Sequence, residues 1–93
     1  MNRLVLAAAL VERGAMRYTP AGLPALDLRL AHESVPLEAG QPRRVQLELR
    51  AVALGDMARS LERLELGAMR EFGGFLAAQR NGRGVVFHVT ELL

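Results

Sequence analysis

Cysteine is absent from the 93 residues, which excludes disulfide scaffolds, thiolate metal sites and thiol nucleophiles and suits a reducing compartment. Tryptophan is also absent, and one tyrosine and three phenylalanines are all the aromatic side chains there are. Base-stacking surfaces are therefore scarce. Histidine occurs only at His32 and His88, too few for an ordinary structural zinc site without cysteine. No apolar run approaches the roughly twenty residues that a membrane-spanning helix needs. The longest candidate, residues 4–11, has neither a basic leader nor a cleavage context, so a soluble, cytoplasmic protein without a secretory signal is expected. Lysine is missing too: every one of the twelve basic residues is arginine.

What is present describes a folded chain. Hydrophobic residues make up 51% and charged residues 24%, a globular balance, and the length fits a single domain spanning residues 1–93. A chain this short buries only roughly 60% of the surface its unfolded form exposes, so oligomerisation is a natural aid to stability. Guanidinium groups grip phosphate bidentately and stack on planar bases. Codon bias in a GC-rich genome explains the missing lysine, taken alone, better than nucleic-acid binding does, and a net charge of +2 signifies such binding only if the charges cluster.

Turn chemistry divides the chain. Residues 3–13 place Leu4, Leu6, Ala8 and Leu10 on one face and Val5, Ala7, Ala9 and Val11 on the other. Period alone leaves strand and buried helix open there, and the alanine run favours helix. The punctuation that follows, Gly14, Thr19-Pro20-Ala21-Gly22 and Pro24, tips the reading towards strand. Leu26, Leu28 and Leu30 then alternate with Asp27, Arg29 and Ala31, a second strand with one wet face. Residues 32–42 carry Pro36, Gly40 and Pro42 and read as a long loop.

A third strand is expected from Arg43 to Leu54, with Val45, Leu47 and Leu49 pointing one way, Arg44, Gln46, Glu48 and Arg50 the other, and apolar residues on both sides from Ala51 on. Asp56 is the expected N-cap of the one convincing helix, with Met57, Leu61 and Leu64 on its apolar side and Gly67 closing it. Residues 68–79 form the fourth strand, with Gly73-Gly74 marking a bulge, and its alternation leaves open whether Arg70 is buried, paired or exposed. Asn81-Gly82 signals a hairpin into the fifth strand, 85–92. Three strands, a helix and two strands is the order of an all-β, five-stranded Greek-key barrel of the OB-fold kind, with the short helix between strands three and four.

Catalysis finds little to work with. The carboxylates are scattered rather than paired, Ser34 and Ser60 lack a glycine elbow, and Gly82-Arg83-Gly84 lacks the spacing of a phosphate loop. No enzyme, metal or cofactor is expected. Three basic groups remain: Arg17 beside Tyr18, Arg43 with Arg44, and Arg80 with Arg83. Each alone reads as a solvated loop charge, yet all three fall on the track that oligonucleotides follow across an OB barrel, over strands two and three between two flanking loops. Tyr18 is the one candidate stacking platform, since Phe72, Phe75 and Phe87 sit in strand patterns that suit the core. Binding should lean on phosphates and weaken with salt.

Asn2-Arg3-Leu4-Val5-Leu6, Pro20-Ala21-Gly22-Leu23-Pro24, His32-Glu33-Ser34-Val35, Glu38-Ala39-Gly40, Gly74-Phe75-Leu76 and Asn81-Gly82, in that order and spacing, resemble the bacterial primosomal replication protein N (PriB) family from end to end. The turn 17–22 also resembles that of bacterial single-stranded DNA-binding protein. The resemblance implies a homodimeric OB-fold protein of replication restart that binds single-stranded DNA and the PriA helicase, alongside primosome proteins such as DnaT. It places DNA contacts at Arg17, Arg43, Arg44, Arg80 and Arg83. Gln46 stands where strong binders of the family carry tryptophan, Gln41 where they carry an aromatic, and the last hairpin is shorter and less basic. The chain thus resembles the weak DNA binders, and a protein-interaction module with little DNA affinity is the second expectation.

Overall fold

A computed structural model describes all 93 residues. Five long strands, β1 (Leu4–Arg13), β3 (Pro24–Ser34), β6 (Val45–Leu54), β7 (Met69–Ala78) and β8 (Val85–Leu92), pair in the order β1-β7-β8-β6-β3, and β3 returns to β1 to close the barrel. All neighbours are antiparallel except β6 and β8, which run parallel through Ala51↔Phe87 and Val52↔His88. The short β2 (Arg17–Tyr18) lies on the edge of β3 opposite Pro24 and Ala25. This is the expected five-stranded Greek-key barrel, with α1 (Asp56–Glu62) between its third and fourth long strands.

The alternation in β1 orders its faces as the sequence implies. Ala8 and Leu10 are fully buried, whereas Val5 and Val11 are exposed on the outside. Phe72, Phe87, Leu10, Leu26, Leu30 and Leu61 fill the barrel, so the helix plugs one end with Leu61 and Ala58. β1 serves two partners by bending: its first half pairs with β7 and its second with β3, with a register shift between Leu10 and Glu12. The β7–β8 register shifts at Gly73/Gly74, where a bulge is expected, but the extra residue, Thr90, is on β8. Glycine is required at Gly74, because a Cβ there would strike the His88 carbonyl oxygen.

Several expectations are corrected. Asp56 is the first helical residue rather than the cap: Gly55 holds that position at φ 70°, ψ −138°, and no side chain caps the N-terminus. The Asp56 carboxylate acts instead on the positive end of the helix dipole. The helix stops at Glu62, short of Gly67, and the Arg13 guanidinium donates to the Leu61 and Leu64 carbonyls at its C-terminal end. The region 32–42 is not an open loop. β3 runs on to Ser34, and β4 (Leu37–Glu38) folds onto β5 (Gln41–Pro42) through Ala39-Gly40, both at positive φ. The third long strand begins at Val45, so Arg43 and Arg44 precede it. Leu47 is 41% exposed, because the β3–β6 ladder projects past the barrel as an arm. Arg70 faces Ala8 across the ladder at the barrel end and is exposed, with no ion pair.

Candidate nucleic-acid interface

The β3–β6 ladder carries the site. Ten consecutive pairs run from Ala25↔Leu54 to Ser34↔Val45. Period two turns Leu26, Leu28 and Leu30 inward and leaves Asp27, Arg29, Ala31 and Glu33 on the outer face, opposite Val52, Arg50, Glu48 and Gln46 respectively. At about 3.3 Å per residue this polar row is about 20 Å long, enough for several nucleotides of an extended strand.

Of the residues singled out from sequence, Arg17 sits at one end of the row, where its Nε and Nη2 donate to both oxygens of Asp27 at 3.0 and 3.1 Å. This bidentate bond, with the attraction of the Arg17 and Arg50 charges, holds the Asp27 carboxyl below its ordinary value of 3.8 against the opposing effect of partial burial. It raises the Arg17 guanidinium in turn. Tyr18 is exposed beside it. Arg44 sits at the other end, 2.9 Å from Glu33, with Gln46 directly across from that glutamate. Arg43 lies on the arm, where its guanidinium meets Glu38 at 2.9 Å and its amide donates to the Pro36 carbonyl. Arg80 and Arg83 stand exposed on the β7–β8 hairpin without ion pairs. Arg17, Arg44 and Gln46 thus share one sheet face, Arg43 flanks it on the arm, and the hairpin pair borders it through Gln79, as described next.

Two cations in the middle of the face were not among the expected site residues. Arg29 and Arg50 are direct cross-strand neighbours. Arg29 contacts Glu12 at 3.1 Å and Glu48 at 3.6 Å. Arg50 has no carboxylate within ion-pair distance and donates only to Gln79 Oε1, at 3.3 Å. Both border an open hollow of about 400 Å³ together with Glu12 and Asp27. Their signal was legible as the wet phase of two alternating strands, but isolated arginines in strands do not form a cluster in sequence. Phe75 corrects a second expectation: it is 38% exposed on the outside of the barrel, its ring stacked on His88 with centroids 4.7 Å apart and planes at 8°. Phe72 and Phe87 are core residues, as expected. No group of acidic or histidine side chains is placed to hold a metal ion, and no helix is long and apolar enough to cross a membrane.

Comparison with known proteins agrees with this geometry. A family described as "Another single-strand binding protein family" matches residues 2–91. The replication restart protein PriB of Bordetella pertussis is 58% identical over 92 residues, covering 98% of this chain and 86% of the relative. That of Neisseria meningitidis serogroup B is 44% identical over 86 residues, covering 91% and 84%. The solved structure of PriB from Ralstonia solanacearum superposes with a TM-score of 0.91 at 41% identity, covering 100% and 96%. The single-stranded DNA-binding protein of Thermus aquaticus gives 0.75 at 33% identity, with this chain spanning 50% of its length. A closed OB barrel with a row of arginines and carboxylates across its β3–β6 face, and sequence likeness maintained over nearly its whole length, make this chain a member of the replication restart protein PriB family.

Proposed function

We propose that the protein is a homodimeric accessory factor of replication restart that binds single-stranded DNA across the β3–β6 face and docks the PriA helicase, alongside primosome proteins such as DnaT. The observation that carries the reading is the 58% identity to a replication restart protein over 98% of the chain. The face supports it with Arg17, Arg44 and Gln46 in one row, Tyr18 at its end, and Arg43, Arg80 and Arg83 at its borders. The modest affinity expected has a physical cause. Arg17, Arg43 and Arg44 each hold a carboxylate that a phosphate must displace or tolerate. Because these pairs are solvent-exposed, each resists displacement by only about 0–1 kcal/mol. The protein performs no chemistry on its ligand.

Titration of a fluorescent oligothymidylate by anisotropy at low and near-physiological salt tests this. Binding should weaken with a log–log slope of about 0.7 per phosphate contacted. Arg43→Ala with Arg44→Ala should lower affinity for all base sequences alike, since phosphates carry no sequence information. Absence of binding at low salt, or binding indifferent to salt, refutes the DNA part. The same three carboxylate pairs favour a second reading, in which the protein mainly bridges primosome proteins. Association with the helicase at salt concentrations that abolish oligonucleotide binding would select it.

A further inference from the structure

We propose that Arg50, with Arg29 directly across from it, is the central phosphate-holding pair of this protein and joins the β3–β6 face to the β7–β8 hairpin in one cationic path. The inference rests on the single-strand-binding reading above and goes beyond it by assigning residues outside the groups matched by resemblance. Like charges directly opposite each other in an antiparallel ladder repel, and Arg29↔Arg50 is such a pair. Glu12 and Glu48 neutralise only Arg29. Asp27, the remaining carboxylate of the hollow, feels the Arg50 charge but gives both its oxygens to Arg17. Arg50 is left as a strand-borne guanidinium with one long bond to a neutral amide, pointing into an open hollow.

Gln79 makes this a path rather than an isolated charge. It accepts from Arg50, its side-chain amide donates to the Val85 carbonyl at 3.4 Å, and its backbone amide donates to Gly84 across the hairpin base. Arg80, the next residue, and Arg83 at the tip have no carboxylate partners either. The cations without carboxylate partners on this side are therefore Arg50, bonded to Gln79, and Arg80 and Arg83 on the hairpin that Gln79 opens, whereas Arg17, Arg29, Arg43 and Arg44 are paired. A phosphodiester held between Arg29 and Arg50 would receive bidentate donors from both strands and relieve their mutual repulsion.

Anisotropy titrations of oligothymidylate against wild type, Arg50→Gln and Arg29→Gln, with Arg59→Gln on the helix as control, test the assignment. Arg50→Gln should weaken binding about tenfold at low salt and flatten the log–log salt slope by about 0.7. The same variant should melt close to the wild-type temperature, because relief of the repulsion from Arg29 offsets loss of the Gln79 bond and of the attraction to Asp27. Glu48→Gln should tighten binding. If wild type binds while Arg50→Gln and Arg29→Gln keep its affinity and slope, the pair is not a phosphate site. Reduced binding with a lowered melting temperature would make Arg50 structural and overturn the proposal equally. If wild type itself fails to bind, the single-strand reading falls first and this one with it.

Discussion

Asp27 is the one residue whose titration ties the site to stability. Its folded pKa lies below the unfolded value because Arg17 bonds the ionised form, so its stabilisation is complete above the unfolded value and is lost as pH falls through the folded one. The side chain is 59% exposed, so solvent screening keeps the effect small. Urea unfolding from pH 6 to pH 2.5 should show stability falling at the acid end, and Asp27→Asn should remove part of that fall while leaving pH 6 stability within about 1 kcal/mol of wild type. An unchanged acid limb in Asp27→Asn would mean the Arg17 bond does not form in solution. Arg17 freed by the same substitution should hold phosphate more readily, so the variant is expected to bind oligonucleotide more tightly.

Among the elements, α1 depends on a residue far from it in sequence. A seven-residue helix is too short to persist alone, and its last carbonyls are answered by Arg13 of β1. Arg13→Met keeps the aliphatic stem and removes the donors. It should cost about 1–3 kcal/mol in chemical denaturation, the range for hydrogen bonds from a charged donor, although the Leu61 carbonyl keeps its bond from the Leu64 amide. A midpoint equal to wild type would show that water replaces the guanidinium. That contact joins positions 48 and 51 residues apart, which explains why sequence could place the helix and not its ending. The strands were legible wherever one face is wet: Leu26, Leu28 and Leu30 against Asp27 and Arg29 gave β3, and Asn81-Gly82 gave the last hairpin. The arm was hidden because Ala39 adopts φ 53°, a conformation alanine rarely signals, and because Pro36 and Pro42 read as loop formers. Phe75 lies three residues from the buried Phe72, an odd spacing that puts it on the opposite face, which the apolar run around it hides. Arg29 and Arg50 became a pair only through register.

For the whole molecule, the question is what covers the outside of β1. From Leu4 to Ala8 its far edge has no strand partner, His32 Nδ1 donates to the Ala7 carbonyl, and Val5, Ala7, Ala9 and the 66%-exposed Met69 form an apolar strip. A second copy laid antiparallel along this edge fits the homodimer proposed above. Sedimentation at micromolar concentration should give a dimer, and Ala7→Glu should give a folded monomer with unchanged circular dichroism. A wild-type monomer at that concentration would rule the dimer out. Because the row proposed to hold DNA lies on β3 and β6, the monomeric variant should keep salt-dependent binding with fewer phosphates engaged per particle.

The parallel junction between β6 and β8 spans only two residue pairs, while every other long-strand junction spans at least four. It should therefore be the first line to part when the barrel opens locally. Amides bordering Ala51 and Phe87 should exchange with deuterium sooner than those at the middle of the β3–β6 ladder. Agents that pry the structure open should unroll it there into a flat ribbon with β6 at one margin and β8 at the other.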